Sequence, residues 1–384
     1  MKFQFHVSPN LQSDNSTSKI MRDLTVGLGL VFLCSVIYYF VAWGAQYGLQ
    51  VILLLVCSLV TTAVCEAIFA KVKKKPIKEF MLHSYGWITS LILVMMCPVS
   101  ITPYAVIIAT IFAVAVGRLM FGGFGNNIYN PAGVGRAVIF ASFGGAATRL
   151  TTMATPTGIM ANEFKWLPGS ADALGSFLKP YGGFGSLLFG TYPGAIGETF
   201  SLVILIVGIV LIIRHVIDWR LPVCYLGTIA ILAAFIAIFS HLESYNGIPA
   251  VLWYPALHLL TGGVIFGAVF MLTDPVTVPT APQARVFFAI CAAVITMLIR
   301  MKGNLPEGCL YSILIMNTFT PLIESSFDGV QTKLIRKAAI MCICALLAGV
   351  GVSFYASSTI RPVKAEKEFA AVETIGTETE GDLL

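Results

Sequence analysis

Charged residues are scarce in this chain. Only 11% of its 384 residues are Asp, Glu, Lys or Arg, whereas soluble globular domains have about 25%. Hydrophobic residues make up 57% of the chain. These proportions exclude an ordinary soluble domain and favour a polytopic membrane protein, long enough for roughly ten spans of ~20 residues. The basic residues lie between apolar runs, so the net charge of +5 gives no reason to expect a nucleic-acid partner.

Several sequence signatures are also missing. None of the nine cysteines forms a Cys-x-x-Cys pair, so no iron–sulfur or zinc site is expected and no metal ligand is assigned. No dinucleotide fingerprint follows a strand pattern. The first 23 residues are polar, and the apolar run 24–43 is too long for a cleavable signal. We therefore expect a retained first membrane helix.

Eleven apolar runs define the predicted spans. They are 24–43, 49–70, 83–100, 104–120, 131–145, 198–214, 221–240, 254–272, 285–300, 307–323 and 337–357. The strongest basic cluster, KVKKKPIK at 71–78, predicts a cytoplasmic loop after the second run and hence a cytoplasmic N-terminus. In this predicted topology Arg300 and Lys302 fall on the outer side of the membrane, where they are the main exceptions to the rule that basic residues are cytoplasmic.

Two stretches of the sequence resemble each other. MMCPVSITP (95–103) precedes GNNIYNPAGVGRAVIF (125–140), and MLTDPVTVP (271–279) precedes GNLPEGCLYSILIMN (303–317). Pro98 and Pro131 are 33 residues apart, and Pro275 and Pro306 are 31 apart. Because five crossings are an odd number, a second set of five enters the membrane from the opposite side. The pattern predicts two inverted repeats with interrupted helices, which commonly build a site near the bilayer midplane.

The predicted organisation follows from these runs. It comprises a cytoplasmic arm (1–23), a first five-helix repeat (24–145), an external loop (146–196), a second five-helix repeat (197–323), and a linker with an extra helix and an acidic external tail (324–384). The loop is rich in Gly, Ser, Thr and aromatic residues, and its length favours a functional segment.

Polar residues at the interrupted helices are candidates for chemistry. Asn130 can cap the helix that Pro131 opens, and Arg136 lies about a turn and a half inside. A charge at that depth needs a partner such as a phosphate or carboxylate, unless it snorkels to the surface. Asp274 and Glu307 either line a proton or cation path or serve as turn and cap residues. Glu198 suits a helix N-terminus, and Thr155 by itself is an ordinary turn residue. No residue is predicted to be catalytic.

Four motifs occur in the same order as similar segments of one known family. GGFGNNIYNPAGVGRA (122–137), PGAIGETF (193–200), GGVIFGAVFMLTDPVTVP (262–279) and LPEGCLYSILIMNTFTPLIE (305–324) are similar to segments of the RnfD/NqrB membrane subunits of ion-pumping electron-transfer complexes. The resemblance covers about residues 5–325. The short N-terminal arm is more like the arm of RnfD than the longer arm of NqrB.

The resemblance implies ten helices in two inverted repeats, an architecture related to urea channels. It implies electron transfer coupled to Na⁺ or H⁺ movement, in a multi-pass protein of a bacterial or archaeal plasma membrane. The chain would be a non-autonomous subunit that needs the other Rnf- or Nqr-type subunits, a flavin transferase and membrane lipid. Family members carry FMN joined through its phosphate to a threonine, here Thr155, and the resemblance leaves room for a second flavin. Arg149 and Met153 depart from the family's Asp and Gly at the attachment motif.

Two other functions stay open on the sequence alone. An inverted repeat with Arg136, Asp274 and Glu307 along a path also suits a small-solute channel or transporter. A paralogue without flavin would instead act as a scaffold. Flavin bound to the purified chain distinguishes the first function from both alternatives.

Overall fold

The computed structural model describes residues 16–146, 148, 150, 155–303, 307–329 and 331–363, without side chains at 331–333. Over these ranges the chain is helical, and the only β-type pairing is three isolated bridges. The predicted all-α class is therefore confirmed. The acidic tail, residues 149 and 153, and residues 304–306 fall outside the described residues.

Every predicted apolar run contains a helix. The helices are α1 (Thr17–Tyr38), α2 (Ala45–Val72), α3 (Ile77–Ser84), α4 (Gly86–Met95), α5 (Pro103–Ile111), α6 (Pro131–Ser142), α7 (Pro156–Asn162), α8 (Ala171–Leu178), α9 (Phe184–Phe189), α10 (Ser201–Ile213), α11 (Arg220–Phe239), α12 (Ala250–Leu260), α13 (Val264–Phe266), α14 (Pro282–Lys302), α15 (Cys309–Ser326) and α16 (Gln331–Thr359). Short π-helical turns extend α1, α5 and α13, at Tyr39–Trp43, Phe112–Val116 and Gly267–Met271.

Six helical stretches in the described part of the chain are long and apolar enough to cross a membrane. They are Thr17–Trp43, Ala45–Val72, Pro103–Phe121, Arg220–Phe239, Pro282–Lys302 and Leu334–Thr359. The bent pair α12–α13 is a seventh candidate, and α4 and α10 are shorter apolar helices. Their lipid-facing sides show many exposed aliphatic residues, as a polytopic membrane protein requires.

The order of elements repeats between the two halves. Two helices (α1, α2), a broken helix (α3–α4), one more helix (α5) and a short helix opened by Pro131 (α6) make the first set. The second set is α10, α11, the broken α12–α13, α14 and α15. The division into two five-helix repeats stays a prediction. The inverted orientation of the second set stays a prediction, and it is tested by labelling below.

Proline and glycine explain where the helices break. Pro103, Pro131 and Pro282 each open a helix at its first turn, where the missing N–H costs nothing. The α12–α13 pair bends by 70° at Gly262, whose φ of +74° suits glycine. The freed backbone groups at these breaks need partners, and the site described below supplies them.

The connection 146–196 differs from the expected loop. It contains three short helices, α7 to α9, and buries Phe164, Trp166, Leu167 and Phe177. Local caps account for the helices, because Thr155 caps α7 and Ser170 caps α8 through their hydroxyls. The aromatic residues that suggested a loop instead form a small core.

The extra C-terminal helix is confirmed. α16 packs against α11 and α14, and the Ser353 hydroxyl donates to the Leu232 carbonyl at 3.3 Å. Beyond the helix, Val363 pairs with the connection, because its N–H donates to the Leu167 carbonyl and its carbonyl accepts from the Gly169 N–H. The described end of the chain is thus attached to the segment that carries α7 and α8.

Candidate functional site

A cavity of about 180 Å³ brings together three of the predicted site residues. Thr155, Arg136 and Glu307 all line it, and Glu198 lines it as well. We call this space the Thr155 cavity. Its walls come from the end of α4, from α6, from the start of α7, from the segment before α10 and from the α12–α13 break. The interrupted helices of both halves therefore meet at one polar space.

Thr155 lies at the start of α7. Its Oγ1 accepts a hydrogen bond from the Gly158 N–H at 3.2 Å and lies 3.4 Å from the Thr157 Oγ1. The residue is half-buried, and both threonines line the cavity. Because the Thr155 oxygen accepts the capping bond, its own proton is available for another partner.

Arg136 supplies positive charge to the same cavity. α6 begins at Pro131 and is capped by Asn130, whose Oδ1 accepts from the Gly133 N–H at 3.3 Å. One and a half turns later the Arg136 guanidinium lies 4.1 Å from the centre of the Phe140 ring. In the described part of the chain no carboxylate lies within ion-pairing distance of it. Arg136 therefore faces the cavity without a direct ion pair, and the Glu198 carboxylate across the same cavity offsets its charge only from a distance. A guanidinium in this position suits an anionic ligand.

Glu307 is held by several donors. Its carboxylate is 2.9 Å from the Arg300 Nη2 and accepts from the backbone N–H groups of Gly263 (3.0 Å) and Cys309 (3.4 Å). Arg300 is fully buried and also donates to the carbonyls of His258 and Thr261, at the end of α12. Glu307 thus joins the broken span to the start of α15, which leaves little of its carboxylate free to bind a cation.

Glu198 is the site residue whose importance the sequence did not indicate. In the described structure its carboxylate has no hydrogen bond or ion pair, although it lines the Thr155 cavity. The preceding backbone is fixed by the Ile196 and Gly197 N–H groups, which donate to the carbonyls of Cys97 and Met95 at 2.9 and 2.7 Å. A Cβ at Gly197 would overlap the Met95 side chain. The glycines of PGAIGE were the available signal, because they permit this close approach.

The other two predicted residues line a second cavity. Asn130 and Asp274 face a space of about 60 Å³, together with residues near the start of α1, which we call the Asp274 cavity. The Asp274 carboxylate accepts from the Val276 N–H at 3.2 Å and from the Thr277 hydroxyl at 3.4 Å. Asp274 thus stabilises the turn after the broken α12–α13 span, and its carboxylate also faces the Asp274 cavity.

Only a thin layer separates the two cavities. Met271 lines the Thr155 cavity, and its neighbour Phe270 lines the Asp274 cavity. Asn130 lies at the same level, because its Nδ2 is 3.4 Å from the Met271 carbonyl. Among the residues that the structure describes, no group of three His, Cys, Asp or Glu side chains is placed to hold a metal ion.

Fold and site together define a polytopic helical membrane protein with paired interrupted helices around polar cavities. Residues 4–333 match the family described as "NQR2, RnfD, RnfE family". The chain belongs to that family. The match ends at the beginning of α16.

Curated relatives extend over most of the chain. The D subunit of the proton-translocating ferredoxin:NAD(+) oxidoreductase complex of Clostridium ljungdahlii is 33% identical, over 86% of this chain and 96% of the relative. The D subunit of the Na(+)-translocating ferredoxin:NAD(+) oxidoreductase complex of Acetobacterium woodii is 34% identical, over 83% and 91%. The D subunit of the ion-translocating oxidoreductase complex of Salmonella newport is 29% identical, over 84% and 96%.

Proposed function

We propose that this chain is the membrane subunit of an ion-translocating electron transport complex and carries FMN covalently on Thr155. The names of its relatives support the complex. The observation that carries the flavin proposal is that the Thr155 hydroxyl lines one cavity with the Arg136 guanidinium, which has no direct ion pair among the described residues.

The residues present fit a flavin phosphate. The Thr155 oxygen would lose its proton and form the phosphoester by attacking the FMN phosphorus of a flavin dinucleotide bound to a flavin transferase. The pyrophosphate P–O bond would break, and the nucleoside monophosphate would leave. Arg136 would hold the remaining phosphate charge through charge-assisted hydrogen bonds. Bound FMN would supply the electron-transfer chemistry, and the protein would position it and tune its surroundings. The cavity volume of about 180 Å³ is smaller than that of ordinary cofactor pockets, so the flavin ring would extend beyond it.

We assign ion movement to two carboxylates on opposite sides of the Phe270–Met271 layer. Glu198 in the Thr155 cavity and Asp274 in the Asp274 cavity would exchange a cation or proton with each side. Glu307, a candidate from the sequence, would mainly support the structure. The choice between Na⁺ and H⁺ does not follow from similarity, because relatives named for each ion are 34% and 33% identical.

The chain would act with partners. It would sit in a bacterial or archaeal plasma membrane with its N-terminus in the cytoplasm, and the donor and acceptor of electrons would be other subunits of an Rnf-type complex. Assembly in an Nqr-type complex is the alternative. A second, non-covalent flavin belongs to the same proposal.

Intact mass and in-gel flavin fluorescence test the flavin proposal directly. The chain should be produced in membranes together with a flavin transferase, as wild type and as Thr155→Val and Thr157→Val. We expect the mass of one FMN on the wild type and on Thr157→Val, and none on Thr155→Val. The threonine at 157 is a matched control because its hydroxyl lies 3.4 Å from that of Thr155 and lines the same cavity.

Two results would refute the assignment. An adduct that persists in Thr155→Val would place the flavin elsewhere. A flavin-free wild type would favour the channel or scaffold functions, and solute flux in liposomes would then distinguish those two.

A further inference from the structure

A second polar space adjoins the Thr155 cavity but is chemically different from it. Its volume is about 680 Å³, and it is bounded by the end of α7, the end of α14 and the end of α16. Lys165, Arg300, Lys302 and Arg361 line it, and no described lining residue is acidic. We call it the basic cavity. Arg300 lies in the wall between the basic cavity and the Thr155 cavity, because its partner Glu307 lines the latter.

The positive charge of the basic cavity is largely uncompensated. Arg300 pairs with Glu307, but Lys165, Lys302 and Arg361 have no carboxylate within ion-pairing distance in the described residues. The Lys302 ammonium instead lies 5.0 Å from the centre of the Tyr355 ring. Part of this charge offsets the negative ends of α14 and α16. Lys165 comes from the segment after α7, so a positive surplus remains.

The walls of the basic cavity are fixed by specific packing. Val363 pairs with the backbone of Leu167 and Gly169, which holds Arg361 at the cavity. Lys165 and Trp166 are consecutive non-glycine residues with positive φ, +48° and +62°, a strained conformation that is concentrated at functional sites. Trp166 is 1% exposed, and its Nε1–H has no acceptor among the described residues.

We propose that the basic cavity binds the phosphate of an anionic phospholipid headgroup. The ligand chemistry is a phosphate-bearing anion, because four cationic side chains converge on a space without carboxylates. The source is a lipid, because the cavity lies where two apolar spans end, which places its long basic side chains at the depth of the lipid headgroups. Phe354 and Tyr355 are exposed on α16 just before the cavity and would contact the acyl chains.

This proposal does not depend on the flavin. α16 contributes one wall of the basic cavity, whereas the family match ends at its beginning. The site therefore gives a role to α16, the candidate membrane span that lies outside the predicted repeats.

Lipid retention in native mass spectrometry tests the proposal. The full-length chain would be reconstituted in phosphatidylcholine nanodiscs that contain increasing fractions of phosphatidylglycerol, and then released for measurement. We expect wild type to retain phosphatidylglycerol in preference to phosphatidylcholine. The triple variant Lys165→Ala/Lys302→Ala/Arg361→Ala should bind it more weakly by on the order of a hundredfold, given the typical contribution of each basic residue. The variant should fold, because all three side chains are exposed.

A matched control removes as many charges at another place. Lys71→Ala/Lys73→Ala/Lys75→Ala, all exposed at the end of α2, should retain the lipid as the wild type does. Equal loss in both triple variants, or no preference in the wild type, would overturn the proposal. A thermal shift with inorganic phosphate in wild type, without lipid retention, would assign the cavity to a soluble anion and overturn the lipid assignment. If removal of 364–384 were required for any lipid to bind, the acidic tail would be the natural occupant instead.

Discussion

Two buried arginines show how single residues hold this structure together. Arg118 donates to the Ser84 carbonyl at 2.9 Å and pairs with Glu66, and both side chains are at most 3% exposed. Arg300 makes the equivalent arrangement in the second half, at the end of α12. Each arginine thus supplies donors to carbonyls that a broken helix leaves without partners. The charge of each arginine is balanced by a carboxylate from a different helix or loop.

The Glu66–Arg118 pair should show strong coupling between its members. Arg118→Met or Glu66→Leu alone leaves one buried charge without its partner, which should cost about 3–5 kcal/mol. The double variant Glu66→Leu/Arg118→Met should recover most of that loss, because it removes both charges and keeps apolar volume. Thermal unfolding of the purified variants in detergent measures the difference.

The control is the ion pair between the exposed Arg22 and Asp23, 3.7 Å apart, because Asp23 keeps its closer partner Arg214 when Arg22 is removed. Arg22→Ala should change stability by about 0–1 kcal/mol, because surface ion pairs contribute little. A double variant as unstable as the single variants would show that the pair has another structural role.

At the level of elements, the break between α12 and α13 organises the Thr155 cavity. Gly262 has a positive φ, and a Cβ there would overlap Glu307, lie 2.6 Å from the Thr157 Cγ2 and 3.2 Å from the Arg300 Nη2. The bend therefore needs a residue without a side chain. The same bend leaves the Gly263 N–H free to donate to Glu307.

Gly262→Ala should damage both stability and the site. Gly125→Ala is the matched control, because Gly125 also has a positive φ (+91°) but nothing lies within 4 Å of its added Cβ. Each variant has backbone strain of about 1–3 kcal/mol, and only Gly262→Ala adds the overlap. We expect a lower unfolding midpoint and less FMN adduct for Gly262→Ala than for Gly125→Ala. Equal values for the two variants would mean that the break tolerates a side chain.

On the scale of the whole molecule, the two cavities approach a common layer from different sides. The Asp274 cavity is lined by Ile20, Tyr85 and Val216, whereas the Thr155 cavity is lined by Tyr192 and by residues of the α7 segment. If the N-terminus is cytoplasmic, as the sequence predicts, the first cavity would open inward and the second outward. This arrangement suits movement of an ion across the Phe270–Met271 layer in steps.

Cysteine labelling tests this orientation. Lys78→Cys and Lys179→Cys, both at exposed positions, would be made in a background without the nine native cysteines. A membrane-impermeant maleimide should label Lys179→Cys in intact cells and Lys78→Cys only after permeabilisation. Equal labelling of the denatured proteins controls for reactivity. Labelling of both positions from one side would refute the inverted arrangement of the two halves.

Local physics explains what was predictable from the sequence. Long apolar runs predicted the helices, because a membrane span must satisfy its own backbone hydrogen bonds. A proline marked the helix start at Pro131, and the lone run 337–357 predicted α16. Arg136 was selected because a charge inside a membrane helix needs a partner.

Contacts between distant segments explain what was not predictable. Arg300 was a misfit in the predicted threading, but it is buried and paired with Glu307 and the end of α12. The sequence predicts for Glu198 only a place at a helix N-terminus, whereas its side chain lines the Thr155 cavity near Gly263. Both outcomes depend on helices that are far apart in sequence. The spacing of residues along the chain does not give the distance between such helices in the fold.

The sequence by itself determined the class of the molecule and its helices, since hydropathy and proline act over a few neighbouring residues. The break at Gly262, inside the predicted run 254–272, did not follow from the sequence. Only the tertiary structure decided which polar groups share a cavity: it joined Thr155 and Arg136, separated them from Asp274, and made Glu307 a partner of Arg300. The physical reason is that a buried charge needs hydrogen-bond partners, and the packing of the helices decides which groups lie close enough to serve.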